Sequence, residues 1–265
     1  MAKILIGTSG YSYNDWVGPV YPEGTRQKDF LQCYAELFPT VELNFSYHRM
    51  PEAKHLAKML EDGGPSLTFS IKAHQTMTHK IDAYKWKDET KTYLASIEPL
   101  LKAGRLEAVL FQFPYSFHYT PDNRRYLDRL LAFFSGIPSA VEFRTADWYT
   151  ANMIEGMKSR SVPLVNLDMP ELIGLPPQMA IVTAPAAYIR LHGRNSEAWW
   201  GKNEYVRSDY LYTDNEIEAL TGWIQRITEQ AERIVIYFNN HPFGKAVRNA
   251  QTLEKILRKT GIINV

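Results

Sequence analysis

The chain holds one cysteine, Cys33, among its 265 residues. A single thiol forms no internal disulfide, so packing and polar contacts must hold the fold, as suits a reducing compartment. Net charge is nearly absent too: 30 Lys and Arg stand against 29 Asp and Glu, leaving +1 at pH 7 with His neutral. That excludes a global basic field of the kind that draws proteins to nucleic acid or anionic membranes, although a local groove stays open. No apolar run approaches the roughly 20 residues of a membrane span. The opening MAKILIG is too short for a signal-peptide core before Gly7, Thr8 and Ser9 intervene. A cytoplasmic protein with no membrane partner is expected. Repeats and low-complexity segments are missing, as are GxSxG, GxGxxG, a phosphate loop, HxH and HExxH.

What is present is a repeated strand-then-helix grammar. Ile234 to Phe238 is a short apolar, β-rich run that ends in Asn239, Asn240 and His241, breaks at Pro242 and Gly244, and continues as a helix from Lys245 to Lys259. Seven similar strands precede it, at Ile4–Gly7, Thr40–Asn44, Leu67–Ala73, Glu107–Phe113, Ser139–Phe143, Pro163–Asp168 and Tyr188–His192. Most are followed by a helical stripe with recognisable caps. Thr120-Pro121 opens one helix, and Thr213 with Glu216 forms a capping box before another. Residues 169–185 carry four prolines and no stripe, so the sixth helix is expected to be weak or absent. Arg194 to Tyr212 reads as a long polar loop. The whole of residues 1–265 is thus read as one α/β domain, a single (β/α)8 TIM-type barrel.

Buried parallel strands usually read as continuous apolar runs, but these alternate. The large apolar set, such as Val41, Leu43, Phe69, Ile71, Val141, Phe143, Val165, Leu167, Ile189 and Leu191, must face the helices. The polar set then points into the barrel. That inward set carries Glu42, Glu142 and Asp168 against Lys72, Arg144 and Arg190, gathered toward the C-terminal strand ends where barrels do chemistry. Two readings stand side by side: a structural ion network plugging the barrel, or an active site.

In the second reading, Glu142 or Asp168 serves as general base with His192 as partner. Lys72, Arg144, Arg190 and Arg194 hold a phosphate or carboxylate, with Glu42, Asn44, Gln112, Asn239 and Asn240 completing the binding surface. Glu42, His74, Glu142, Asp168, His192 and His241 are the side chains from which a metal site would have to be built, but the interleaved arginines oppose a cation, and neither metal nor cofactor is expected. Tyr11, Trp16, Tyr47, Trp148, Trp199 and Trp200 are placed in strand-to-helix loops, as pocket walls or a hydrophobic lid. His79, after Thr78, also draws attention. Cys33 lies on a helix stripe and reads as an inert thiol.

The motifs GTSGYSYNDW (7–16) with Tyr21-Pro22, VELNFSYHRMP (41–51), FSIKA (69–73) with Thr78-His79, FQFP (111–114), VEFRTADW (141–148), YIRLHGR (188–194) and YFNNHPFGKAVRNAQTL (237–253) resemble the YecE-like family, domain of unknown function 72. The resemblance implies a TIM-type barrel and supplies no reaction. It departs from the family's usual pattern at Tyr11, Thr145 and His241. Barrels of this kind look similar to endonuclease IV and xylose isomerase, which are metal enzymes, but fold does not transfer function. Three functions compete: an enzyme acting on a small anionic substrate by general acid/base chemistry, a nucleic-acid-binding or metal-dependent phosphodiesterase, and a non-catalytic ligand-binding barrel.

Overall fold

The computed structural model describes residues 2–201 and 203–263. Among the described residues there are eight parallel strands: β1 (Lys3–Ser9), β2 (Thr40–Leu43), β3 (Thr68–Lys72), β4 (Leu106–Gln112), β5 (Ser139–Glu142), β6 (Asn166–Asp168), β7 (Ala186–Leu191) and β8 (Arg233–Phe238). They run in the order β5-β4-β3-β2-β1-β8-β7-β6. The two ends meet through a parallel bridge between Val141 and Leu164, where the Val165 N–H donates to Val141 O at 2.9 Å and the Val141 N–H to Pro163 O at 2.9 Å. The sheet is therefore a barrel, closed at its β5–β6 seam by a narrow contact.

The helices are α1 (Phe30–Leu37), α2 (Phe45–His48), α3 (Ala53–Asp62), α4 (Trp86–Lys102), α5 (Pro121–Phe133), α6 (Ala151–Ser159), α7 (Glu204–Ser208), α8 (Asp214–Thr228) and α9 (Lys245–Lys259). The caps read from sequence form. The Thr120 side chain accepts from the Asn123 N–H ahead of Pro121, and Thr213 and Glu216 cap α8 reciprocally. No helix lies between β6 and β7, as expected. The loop from Arg194 to Tyr212, which includes Lys202 outside the described residues, holds the short helix α7, capped by the Asn203 side chain. No helix among the described residues is long and apolar enough to cross a membrane.

Two hydrophobic clusters divide the strand residues by face. Val41, Leu43, Phe69, Ile71, Val109, Phe111, Val141, Phe143, Ile189, Leu191, Ile234 and Ile236 pack against the helices. Leu5, Ala108, Leu110, Ala140, Tyr188, Val235 and Tyr237 fill the barrel interior. Gly7 on β1 has to be glycine, because a Cβ there would stand 2.0 Å from the Thr40 carbonyl oxygen across the β1–β2 pair.

Strand β6 corrects the face assignment. Val165 and Leu167 belong to the interior cluster, while Leu164 joins the outer one. Asn166 and Asp168 therefore face outward, opposite to the alternation expected for them. The missing helix is the physical reason. An extended segment covers β6 instead and brings unpaired peptide groups with it. Asn166 satisfies them: its Oδ1 accepts from the Ile181 N–H at 2.8 Å and its Nδ2 donates to Ile181 O at 2.7 Å, while Thr183 Oγ1 accepts from the Leu164 N–H at 2.8 Å. A polar outward face is what a peptide cover requires.

Asn166→Ala orphans both buried groups of Ile181. It is expected to destabilise the fold by about 2–4 kcal/mol in chemical denaturation; a loss under about 1 kcal/mol would show that the cover does not depend on this side chain.

Candidate active site

Registry sets the levels inside the barrel. Ser9 pairs with Glu42, Gln112 with Glu142, and Arg190 with both Leu167 and Tyr237. Below the charged level, the Tyr237 hydroxyl shares hydrogen bonds with Thr40 Oγ1 at 2.6 Å and Ser70 Oγ at 3.0 Å. Above it, Arg190 crosses the barrel: Nη1 donates to Glu142 Oε2 at 2.6 Å and Nη2 to Glu42 Oε1 at 2.8 Å. The Tyr188 hydroxyl donates to Glu42 Oε2 at 2.6 Å, and the Ser9 hydroxyl to Glu42 Oε1. Asn44 Nδ2 in turn donates to Ser9 Oγ at 2.7 Å. Glu42, Glu142 and Arg190 are all fully buried. Two carboxylates on opposite walls thus share one guanidinium.

A second cation completes the balance. Arg144 Nε makes an ion pair with Glu142 Oε1, and His192 Nε2 stands 3.6 Å from the same oxygen. Burial pushes the Glu142 carboxyl up, but Arg144, Arg190 and His192 together hold it well below the usual carboxylate range. His192 is neutral, because burial and then Arg144 and Arg190 disfavour its charged form. The Asn239 amide lies 3.0 Å from His192 Nδ1; donating there leaves the ring proton on Nε2, facing Glu142.

Over this level opens a cavity of about 290 Å³, lined by Asn44, Lys72, Gln112, Arg144, Arg190 and Asn239 from the barrel, and by Tyr13, Tyr47, His79, Glu204, Arg207, Ser208 and His241 from the loops. Four of these residues are Lys or Arg, against one carboxylate, Glu204. Lys72 Nζ sits 4.2 Å from the centre of the Tyr47 ring. Burial, then Arg190, brings its pKa down to about 8. His79 is brought down to about 4 by burial, then by Lys72 and Arg144. Arg144 and Arg207 stand on Trp199, each guanidinium 5.8 Å from the ring centre.

The remaining expected site residues have other places. Asp168 accepts from Gln178 Nε2 at 2.7 Å, from the Tyr212 hydroxyl at 2.6 Å, and from Arg194 Nη2 at 2.6 Å and Nε at 3.1 Å. It and Arg194 brace the outside of β6 against the loop before α8. Asn240 Nδ2 donates to Tyr210 O and to Asn249 Oδ1, both at 2.8 Å, which ties the end of β8 to α9. Neither these three residues nor the carboxylates of Glu42 and Glu142 line the cavity. His74 is turned to Thr76, with Nδ1 2.9 Å from its hydroxyl. The side chains from which a metal site would be built are therefore engaged elsewhere or lie apart, and no group of three His, Cys, Asp or Glu converges as metal ligands among the described residues. This donor set does not fit a metal. Ser9, Tyr13, Glu204 and Arg207 were not assigned from sequence. Ser9 had a signal, since it falls two residues after Gly7 on the inward face of β1; Glu204 and Arg207 had none, lying in a loop whose path no periodicity describes.

A larger cavity, about 620 Å³, lies at the opposite end of the barrel among Ala108, Pro138, Val162, Ala187 and Val235. Its charged lining is largely self-satisfied, with Arg233 Nε donating to Glu107 Oε2 at 2.6 Å. Chemistry in such barrels occupies the other face.

Residues 5–263 match the family described as "Protein of unknown function DUF72". The chain is 29% identical over 269 residues to the UPF0759 protein YunF of Bacillus subtilis, covering 96% of this chain and 94% of that protein. The crystal structure of a DUF72 family protein from Thermotoga maritima superposes with a TM-score of 0.88 at 33% identity, covering 97% of this chain and 99% of that one. A DUF72 family protein from Enterococcus faecalis gives 0.86 at 26% identity, covering 96% and 95%.

Glu142→Gln leaves two guanidinium groups facing one remaining buried carboxylate. A loss of about 3–5 kcal/mol is expected in chemical denaturation. Because the folded carboxyl has a pKa below its ordinary 4.5, its contribution is complete above that value and fades as the pH falls below it. The variant is therefore expected to show a shallower decline between pH 4.5 and pH 2 than the wild type; identical acid slopes would rule out this ion pair as a source of acid sensitivity.

Proposed function

The chain belongs to the DUF72 family, and from that premise we propose that it is an enzyme acting on a small anionic substrate, bearing phosphate or carboxylate, at the C-terminal end of the barrel. One observation carries the reading. Arg144 uses only Nε on Glu142, and its two Nη groups have no partner among the described residues, while Lys72 has no ion pair there; both line the same polar cavity. A guanidinium fork with free ends beside an unpaired ammonium suits an oxyanion.

In this reading the expected roles are redistributed. Glu142 is held ionised between two arginines and is a poor base near neutral pH, so its part is to orient Arg144. Arg190 forms the floor. Asn44, Gln112 and Asn239 border the anion, and Lys72 and His79 are the titratable groups that face it. Asp168, Arg194 and Asn240 support the loops around the mouth. A metal-dependent phosphodiesterase is less favoured, because Glu42, Glu142 and Asp168 each already answer an arginine. A non-catalytic binding barrel would keep the arginines and use Lys72 only for its charge.

Sulfate titrated by calorimetry tests the site, since its charge is constant across the relevant pH range. Arg144→Ala is expected to weaken binding roughly ten- to a hundredfold, the worth of a charge-assisted hydrogen bond, whereas Lys58→Ala, on the exposed face of α3, leaves it unchanged. An anion favours the charged amine, so affinity should be level below pH 8 and fall as the pH rises through the Lys72 value of about 8. Unchanged affinity in Arg144→Ala would remove the anion from this place.

A further inference from the structure

We propose that Lys72 is a covalent group: its amine condenses with the carbonyl of a substrate that carries an anionic group, a 2-oxo acid or a phosphorylated aldehyde or ketone, to form an imine. The inference rests on the anion-binding reading and narrows its substrate class.

The geometry supports an amine rather than a structural ammonium. Lys72 is the last residue of β3, and the inward position two residues before it, Ser70, bonds the Tyr237 hydroxyl inside the barrel. The side chain therefore rises from the charged level into the cavity. The buried carboxylates that would neutralise it are held by other groups, Glu42 by Arg190 and Glu142 by Arg190 and Arg144. Its Nζ meets the face of Tyr47 instead and makes no ion pair or side-chain hydrogen bond among the described residues. The groups around it are Arg190 from β7, Glu142 and Arg144 at the end of β5, Glu42 from β2, and His79 after β3. Burial and two neighbouring guanidinium groups are the conditions that free a lysine to act as a nucleophile near neutral pH. With its pKa at about 8, Lys72 has on the order of a hundred times more neutral amine at pH 7 than an exposed lysine.

The chemistry closes without a further reactant. The nitrogen lone pair attacks the carbonyl carbon and one N–H proton passes to the oxygen, giving a carbinolamine; the second N–H proton passes to that hydroxyl, which leaves as water as the C=N bond forms, and the imine nitrogen then takes a proton from solvent. The neutral imidazole of His79, on the same cavity wall, is placed to move that proton. The Nη groups of Arg144 hold the substrate's anionic end and fix the carbonyl toward Nζ, and the protonated imine then withdraws electrons from the adjacent carbon.

Trapping with cyanoborohydride at pH 7 tests this, with glyoxylate and pyridoxal phosphate as probes and peptide mass spectrometry as the readout. The expected result is a reduced adduct on Lys72 formed about tenfold faster than on exposed lysines such as Lys58, slowed by saturating sulfate, and absent in Lys72→Arg, whose fold is verified by circular dichroism. Labelling of exposed lysines with Lys72 untouched, while sulfate binds normally, would overturn the covalent role and leave the anion site standing. Adduct formation at Lys72 that sulfate does not slow would overturn the anionic substrate class. Failure of both sulfate binding and trapping would overturn both readings together.

Discussion

One guanidinium shared by two buried carboxylates organises this barrel. Arg190 reaches Glu142 on one wall and Glu42 on the opposite wall, and none of the three can be removed from water alone without a cost of several kcal/mol. The surrounding residues follow from that constraint. Tyr188 and Ser9 occupy the remaining lone pairs of Glu42, Asn44 supports Ser9, and Arg144 takes the free oxygen of Glu142. Most barrels fill this level with branched apolar side chains. Here a polar layer divides an apolar lower interior of alanine, leucine, valine and tyrosine from an open upper end.

That division is what makes the upper cavity electropositive. Once Glu42 and Glu142 are matched by Arg190 and Arg144, and Arg207 by Glu204, the excess at this end appears as Lys72 and the outer nitrogens of Arg144. A structural role for the lower pairs is compatible with the anion site proposed above them. The lower pairs form a plug, and the plug positions the upper groups. Size alone would point to the other end of the barrel, where the cavity is about twice as large. Its ion pair of Glu107 and Arg233 is closed on itself, so it offers a ligand shape but few directed contacts.

Strand β6 shows the limit of alternation as a guide. The rule that large apolar residues face the helices holds for β2, β3, β4, β5 and β7, each backed by a helix. At β6 no helix exists, and residues 178–183 lie against the strand as extended chain. Peptide groups need partners, so Asn166 turns outward, Val165 and Leu167 turn inward, and Asp168 leaves the barrel with them. The four prolines that announced the missing helix also announced this exception, although only the paired backbone made it visible. Ser9 illustrates the opposite case: alternation from Leu5 through Gly7 places it inside, next to Glu42.

By itself the sequence determined the (β/α)8 barrel, its cap residues, the missing sixth helix and the inward clustering of Glu42, Lys72, Glu142, Arg144 and Arg190. All of these follow from local spacing: a period of two along strands, a stripe along helices, and proline where a helix cannot continue. Only the tertiary structure decided which charges answer one another. Arg190 is 148 residues from Glu42 and 48 from Glu142, and which carboxylate a guanidinium reaches depends on strand register and on which wall stands opposite. The same holds for Asp168, claimed by Arg194 and Tyr212 across a loop, and for Lys72, left unpaired because its possible partners were already taken. Pairing is a property of closure, and closure brings together residues whose separation along the chain carries no record of it.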